Sequence, residues 1–452
     1  MNIIIETYGC TANHNDSEIL AGILAKKGFN PIFSDALKNF ADLVIINTCI
    51  VKGPTLNRME RRIYDLLKKY DKLIVTGCMA NTYKEKILKI KDDVEKKFGK
   101  RNLVILPNYS LKNIDKVVLD LIKKERSLDV VEIKDVVKIK KEEKVNLEKI
   151  RINDVIGITQ IAFGCSSYCS FCITKLAKGS LKSYGKEKIL ENIKEDLKAG
   201  AKEIWLTATD LACYGLDKGK YMLVDLIKDI LKIKKNFWLR LGMMNPQHVK
   251  NFYEELLEVY ESDKVFKFLH LPLQSGSNKV LREMNRQYTV GDFLKIAKKF
   301  KRKFKEGTLA TDIIVGFYNE SENDFKKTVE VIKELKPEIV NISRFWPMPK
   351  TLAYIKIKKE GILDELLTNA KKRSEMLFNI VKKISFKKNK EWIGRDVLCI
   401  VDKKGYENTF LARDINYKLI AIKEKAILGK FYRVEIIDAK SNFLIGRIRK
   451  DK

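Results

Sequence analysis

The sequence is short of cysteine, histidine and long apolar runs, and each shortage removes a class of protein. Eight cysteines in 452 residues are too sparse for a disulfide framework. No apolar run approaches the roughly 18 residues that a bilayer-spanning helix requires, so no membrane partner is expected. The opening MNIIIETYGC shows neither a charged n-region nor a cleavage site, which points to a reduced, cytoplasmic protein. Acidic residues are scarce beside basic ones, 59 against 89, for a formal charge of +30. That excess favours a polyanionic partner, although lysine is spread throughout and the run 298–305 reads as a solvated helix face. A chain of this length is expected to hold roughly two to four domains.

What is present is concentrated in the few cysteines. Cys165, Cys169 and Cys172 form C-x-x-x-C-x-x-C directly after the apolar run 156–163. Three thiolates on one short loop can hold three irons of a 4Fe-4S cluster and leave the fourth open to a substrate or cofactor. A zinc site would want a fourth Cys or His, and none lies near the loop. Buried thiols acting as small hydrophobes are the other reading, but Gly164, Ser166 and Ser167 around them are turn chemistry rather than core.

A second set lies in the first hundred residues. The apolar runs 3–5, 43–46 and 73–75 lead to Cys10, Cys49 and Cys78. Between the first two, Ile19, Leu20, Ile23 and Leu24 follow a helical period with Gly28 as a stop; the second gap carries Leu56, Met59, Ile63, Leu66 and Leu67 at the same period. This alternation is βαβαβ, in which parallel strands gather their carboxyl ends along one edge. Each cysteine alone would read as a packed thiol. Three at equivalent strand ends imply a second cluster site with three protein ligands.

The Lys- and Glu-rich stretch 138–149 reads as a linker or a surface hairpin. Six strand-like segments follow, at 155–163, 203–207, 237–243, 266–273, 309–317 and 339–345, separated by helical patterns at 186–199, 222–232, 249–260, 290–304 and 322–334. The expected fold class is therefore α/β: an amino-terminal parallel sheet domain over 1–130, a linker over 131–154, and a central (β/α)6 partial barrel over 155–385. Its cysteine loop sits at the carboxyl end of the first strand, where parallel barrels carry their chemistry. From about residue 391 β segments take over, at 397–401, 410–415, 419–422, 432–437 and 443–448, marked off by Gly394, Gly405, Gly429 and Gly446. A small OB-like β-barrel over 390–452 is expected. Its excess of basic residues, with Tyr406, Phe410 and Tyr417 interleaved, suits RNA; an inert capping barrel is the alternative.

With these residues in hand, the chain resembles the radical S-adenosylmethionine methylthiotransferases over nearly its whole length, its tail being similar to a TRAM domain. EIWLTATDLACYG from Glu203, RLGMMNPQHV from Arg240 and FLHLPLQSGSNKVLREMNRQYTV from Phe268 look most like the archaeal and eukaryotic branch. That branch adds a methylthio group to threonylcarbamoyladenosine beside the anticodon of tRNA. The resemblance implies two 4Fe-4S clusters and S-adenosylmethionine as cofactors. Cys165, Cys169 and Cys172 would ligate the radical cluster, with Phe171 against the adenine of S-adenosylmethionine. Cys10, Cys49 and Cys78, in TYGC, NTC and TGC, would ligate an auxiliary cluster. Asp210, Gln274, Ser275, Gly276 and Arg286 would line the cofactor or substrate cavity. Cys213 and Cys399 match no ligand position, and His14, His248 and His270 receive no role. The reaction would need an electron donor and a sulfur source. A monomer is expected, since no segment shows sustained heptads.

Two motifs depart from the family's usual form: GFPGE is Gly316-Phe317-Tyr318-Asn319-Glu320 here, and PRPGT is Pro347-Met348-Pro349-Lys350-Thr351. Neighbouring possibilities are the isopentenyladenosine branch or the branch acting on a ribosomal-protein aspartate. From another class, a non-enzymatic RNA-binding protein with structural iron–sulfur or zinc sites would share the cysteines.

Overall fold

The structure, a computed structural model, describes residues 1–33, 41–123, 131–132 and 143–449. They fall into two units: 1–152 with 158–167 and 172–192, and 153–157 with 168–171 and 193–452.

The first unit is built on continuous apolar runs, the pattern of strands covered on both faces. Its parallel sheet comprises β1 (Asn2–Thr7), β2 (Asn30–Phe33), β3 (Leu43–Thr48), β4 (Lys72–Gly77), β5 (Asn102–Ile105) and β6 (Val131–Glu132), in the order β2-β1-β3-β4-β5-β6. The three strands expected from sequence are the adjacent β1, β3 and β4; the short β2, β5 and β6 extend them. Helices Thr11–Lys26 and Gly53–Lys69 are the crossovers, and the latter buries Leu56, Met59, Ile63, Leu66 and Leu67 as its period predicts. Ile3, Ile5, Leu20, Leu24, Leu43, Ile45 and Ile74 share one core.

Within the stretch expected to be a linker or surface hairpin, 138–142 lies outside the described residues, as does 133–142 of the longer linker. Lys144 departs from a solvated position: it is buried, with Nζ 2.8 Å from both carboxylate oxygens of Asp16. The backbone at 148–149 presses on helix Thr11–Lys26 so closely that a Cβ on Gly22 would meet it at 2.4 Å.

The strand β7 (Ile156–Gln160) begins in the second unit and ends in the first, where β8 (Ala162–Phe163) and β9 (Lys182–Ser183) pair antiparallel. In the second unit, β10 (Glu203–Thr207), β11 (Trp238–Leu241), β12 (Phe268–His270), β13 (Thr308–Val315) and β14 (Ile339–Arg344) continue the barrel. Two three-stranded sheets, β11-β10-β7 and β12-β13-β14, are joined by a bridge between Leu239 and Val265. This gives the expected six-strand partial barrel. The helix expected at 249–260 is instead two short ones, Pro246–Val249 and Tyr253–Val259, the first capped by Asn245. Beyond the barrel, helices Leu352–Glu360 and Leu363–Lys390 were not expected. The second, at 28 residues, runs roughly 40 Å.

The carboxy-terminal strands are β15 (Asp396–Lys404), β16 (Phe410–Asp414), β17 (Leu419–Ile422), β18 (Phe431–Ala439) and β19 (Leu444–Ile448), closed as β15-β16-β17-β19-β18. Cys399, Val401, Ala412, Ile420, Val434 and Leu444 fill this barrel, so Cys399 is a packed thiol. Among the described residues no helix is long and apolar enough to cross a membrane.

Candidate functional site

In the first unit, β1, β3 and β4 lie side by side and parallel, so the turns that follow them meet along one sheet edge. Cys10 precedes helix Thr11–Lys26, Cys49 follows β3, and Cys78 opens helix Cys78–Thr82. Glycine makes this approach possible. Gly9 (φ +121°) would carry a Cβ 3.0 Å from Cys49 Cβ, and Gly77 (φ +86°) one 2.4 Å from the Thr48 carbonyl; both the sign of φ and the space exclude a side chain.

Asn13 holds two of the turns together. Its Nδ2 donates to the carbonyls of Tyr8 (2.8 Å) and Thr48 (3.1 Å), and its Oδ1 accepts from Cys10 Sγ at 3.5 Å. Thr48 Oγ1 donates to the Thr76 carbonyl at 2.5 Å and accepts from Met79 N at 3.1 Å, tying in the third. Among the described residues no three His, Cys, Asp or Glu side chains are already drawn around a metal position, but the thiols sit within electrostatic reach of one another.

The surroundings fit an anionic occupant. Burial pushes the Cys49 thiol up, and the Cys78 thiol up to about 12. Lys178, at the end of helix Thr174–Lys178, is buried beside them. Burial opposes its charge, yet Cys10, Cys78, Asp16 and Cys49 together hold its ammonium above the ordinary lysine range. A buried cation within electrostatic reach of three cysteines and Asp16 favours the thiolate over the neutral thiol.

The loop 165–172 leaves the barrel at Gly164, whose φ of +80° and 2.1 Å clearance to the Ser180 carbonyl admit only glycine. In the first unit, Cys165 N donates to the Gly179 carbonyl at 3.1 Å and its sulfur accepts from Ser167 N at 3.4 Å. In the second, the loop is pinned to 283–286: Ser170 Oγ donates to the Glu283 carbonyl (2.7 Å), Ser170 N to that of Met284 (3.1 Å), and Asn285 Nδ2 to that of Tyr168 (2.7 Å). Cys165, Cys169 and Cys172 are all half-buried. Phe171 packs edge-on against Phe317, ring centres 6.1 Å apart.

From Cys169, itself in the second unit, a polar network continues within that unit. Arg286 donates to Cys169 Sγ (3.0 Å), to Asn245 Oδ1 (2.9 Å) and to Tyr288 Oη (3.3 Å). Asp210 Oδ1 accepts from Asn245 N and Ala212 N, each at 3.0 Å. Its Oδ2 is buried without a hydrogen-bond partner, 3.8 Å from His248 Nε2. Burial raises the Asp210 carboxyl and lowers the His248 imidazole. His248 was given no role from sequence, and Asn245 was not singled out; the Asn-Pro pair of GMMNP, a helix-start signal, could have found the latter.

The segment 274–276 divides in two. Gln274, at φ +67°, has a buried Oε1 with no hydrogen-bond partner, free to meet a ligand. Ser275 and Gly276 instead face helix Glu322–Leu335: Gly276 N donates to Thr328 Oγ1 at 2.9 Å, and a Cβ on Gly276 would lie 2.5 Å from Thr328 Cα. Their contacts are with this helix, and they set the turn that holds Gln274. Cys213, wholly buried, donates to the Asp210 carbonyl at 3.1 Å. His270 Nε2 lies 3.1 Å from both oxygens of Asp312. The two departing motifs are rebuilt turns. Asn319 and Lys350 take φ +59° and +73° where the usual motifs have glycine, and Glu320 accepts from Gly316 N at 2.6 Å and is met by Arg373 Nη1 at 2.7 Å.

Three family descriptions match the chain: Uncharacterized protein family UPF0004 over residues 2–99, the Radical SAM superfamily over 159–332, and the TRAM domain over 390–448. Among curated proteins, a probable threonylcarbamoyladenosine tRNA methylthiotransferase of Pyrococcus horikoshii is 39% identical over 448 residues, covering 99% of each chain. The Archaeoglobus fulgidus protein of the same name is 35% identical over 100% of both. The human threonylcarbamoyladenosine tRNA methylthiotransferase is 32% identical over 98% of this chain and 73% of its own. Among solved structures, the radical S-adenosylmethionine methyltransferase TsrM of Kitasatospora setae, with cobalamin and a 4Fe-4S cluster bound, superposes with a TM-score of 0.56 at 12% identity, covering 80% of this chain and 78% of that one. That likeness is one of fold.

Proposed function

This chain belongs to the threonylcarbamoyladenosine tRNA methylthiotransferases, and from that membership we propose how its own residues share the reaction. The activity is transfer of a methylthio group to N6-threonylcarbamoyladenosine of tRNA, with S-adenosylmethionine and an iron–sulfur cluster as cofactors. Likeness to the threonylcarbamoyl relatives over essentially the whole chain carries this reading. It favours neither the isopentenyladenosine target, nor the ribosomal-protein aspartate, nor a non-enzymatic RNA binder.

The target carbon of adenine is neither acidic nor electrophilic, so a general base has nothing to work on. When bound, a cluster with an open iron supplies one-electron cleavage of S-adenosylmethionine to a carbon radical. Cys165, Cys169 and Cys172 are assigned to hold it. Arg286 fixes the Cys169 turn against Asn245. Asp210, with one oxygen spent on backbone amides and the other near His248 but without a hydrogen bond, receives a polar group of S-adenosylmethionine, as does the amide oxygen of Gln274. Phe171, braced by Phe317, lies against the adenine.

Cys10, Cys49 and Cys78 are assigned to a second 4Fe-4S cluster, whose net negative charge Lys178 offsets. The domains follow as 1–130, 155–385 and 390–452, with 131–154 as a linker and the last binding RNA; the anticodon loop of tRNA is the partner. A monomer in the cytoplasm, supplied by an electron donor and a sulfur source, completes the proposal. Nucleoside analysis of tRNA from a strain lacking this chain tests it. The 2-methylthio derivative of threonylcarbamoyladenosine should vanish and return with the wild-type gene; an unchanged level would overturn the reading.

A further inference from the structure

The second unit contains a cavity of about 490 Å3 that none of these assignments uses. It is of the size that small-molecule sites occupy, roughly 300–1,000 Å3. Phe268, Thr308 and Ile339, the first residues of β12, β13 and β14, line it. It therefore opens at the amino ends of the barrel strands, away from the carboxyl ends where the cysteine loop lies. The small carboxy-terminal barrel and helix Leu363–Lys390 supply its other walls.

Arg240 lines the cavity. The guanidinium carbon lies 4.8 Å from the ring centre of Trp205, 5.2 Å from Phe268 and 5.5 Å from Tyr417, and its Nε is buried with no hydrogen-bond partner. Arg413 stacks over Tyr417 at 4.3 Å. Tyr417 itself stands at φ +66°, a left-handed conformation that costs a bulky residue about 1–3 kcal/mol and clusters at functional sites. Of the acids in the region, Glu338 is paired with Lys388 and Lys301, Asp402 takes Arg413 Nε at 3.0 Å, and the buried Glu203 accepts from Trp205 Nε1 and lies within electrostatic reach of Arg240 and Arg413. What remains for an occupant is the Arg240 guanidinium, with the exposed Phe378 and Lys382 also on the lining.

An occupant that satisfies both features offers a π-face and anionic oxygens together. We propose that this cavity is a nucleotide subsite, taking one unstacked base and its phosphate from the RNA at the end of the barrel away from the cysteine loop. Arg240 meets the phosphate, and Phe378 flanks the base. An acidic peptide would use the charge but leave the ring faces unused. The inference rests on the tRNA-modifying reading for the source of the nucleotide, and its test needs no turnover.

Binding of AMP, adenosine, inorganic phosphate and an anticodon stem-loop RNA would be measured by calorimetry without reductant, on wild type, Arg240→Met and Phe378→Ala. Phe378 is 57% exposed, so its truncation leaves the fold intact, as an unchanged melting midpoint would verify. Expected is AMP binding at least about tenfold tighter than either adenosine or phosphate, with both AMP and stem-loop weakened about tenfold in each variant. AMP binding lost in the variants with stem-loop affinity unchanged would overturn the RNA assignment in favour of a free mononucleotide. Equal binding by wild type and Arg240→Met, or a glutamate-rich peptide binding as tightly as AMP, would overturn the subsite altogether. A chain that fails to methylthiolate but passes these arms would cost the proposed function and leave the subsite standing.

Discussion

Arg286 spans 3.0 Å to the Cys169 sulfur and 2.9 Å to the Asn245 side chain, so one planar fork links the cysteine loop to the residue whose amide fixes Asp210. A lysine keeps the charge and loses the fork. In Arg286→Lys, 5′-deoxyadenosine formation under reducing conditions should fall about 10- to 100-fold, the usual cost of losing a partner behind a metal ligand, while iron content holds. An unchanged rate would remove Arg286 from the machinery.

Iron and acid-labile sulfide per reconstituted chain separate the two cysteine sets. Wild type should carry about eight irons, and a Cys10/Cys49/Cys78 triple alanine variant about four, as three-cysteine cubane sites require. A wild type that saturates at about four would strip the strand-end cysteines of their role.

The pair Lys144–Asp16 makes two contacts of 2.8 Å out of water. Lys144→Met strands a buried carboxylate and should cost about 3–5 kcal/mol, read as a lowered denaturant midpoint. If the midpoint stays within experimental error, residues 143–149 do not dock as described.

Glu203 is wholly buried, accepts from Trp205 Nε1 at 2.8 Å, and has its carboxyl pushed up to about 8, first by burial and then by Asp402. A raised acid contributes stability that is complete below its unfolded pKa and is lost as pH climbs through the folded one. Glu203→Gln removes that titration. Its melting midpoint relative to wild type should therefore climb between about pH 4.5 and pH 8 and level off above; a flat difference across that window would mean the carboxyl is ionised throughout.

How much of this was legible beforehand follows from what burial does to sequence. Strands β1, β3 and β4 are apolar on both faces and end in cysteine, so run and punctuation could be read directly. The barrel strands showed as apolar runs between helical patterns and the five carboxy-terminal strands as β-rich segments marked off by glycine, to within a few residues. Helix Leu363–Lys390 hid because its buried positions, Leu366, Ala370, Arg373, Leu377, Ser385 and Asn389, include three polar side chains and form no broad apolar stripe. Lys178 and Lys144 were invisible in a chain so rich in lysine, where composition argues for solvation. Ser275 and Gly276 were recognised by motif, but only the packing against Thr328 shows what they touch.

The closure of the carboxy-terminal barrel, where the parallel pair β17–β19 and the antiparallel pair β15–β18 leave every strand with two neighbours, settles how that barrel can be approached. No strand presents a free row of amides and carbonyls, so a visiting chain cannot enlist there as a sixth strand. Whatever touches this barrel must read its side chains and turns, and crowded copies of the protein find no backbone ledge on it from which to begin an aggregate.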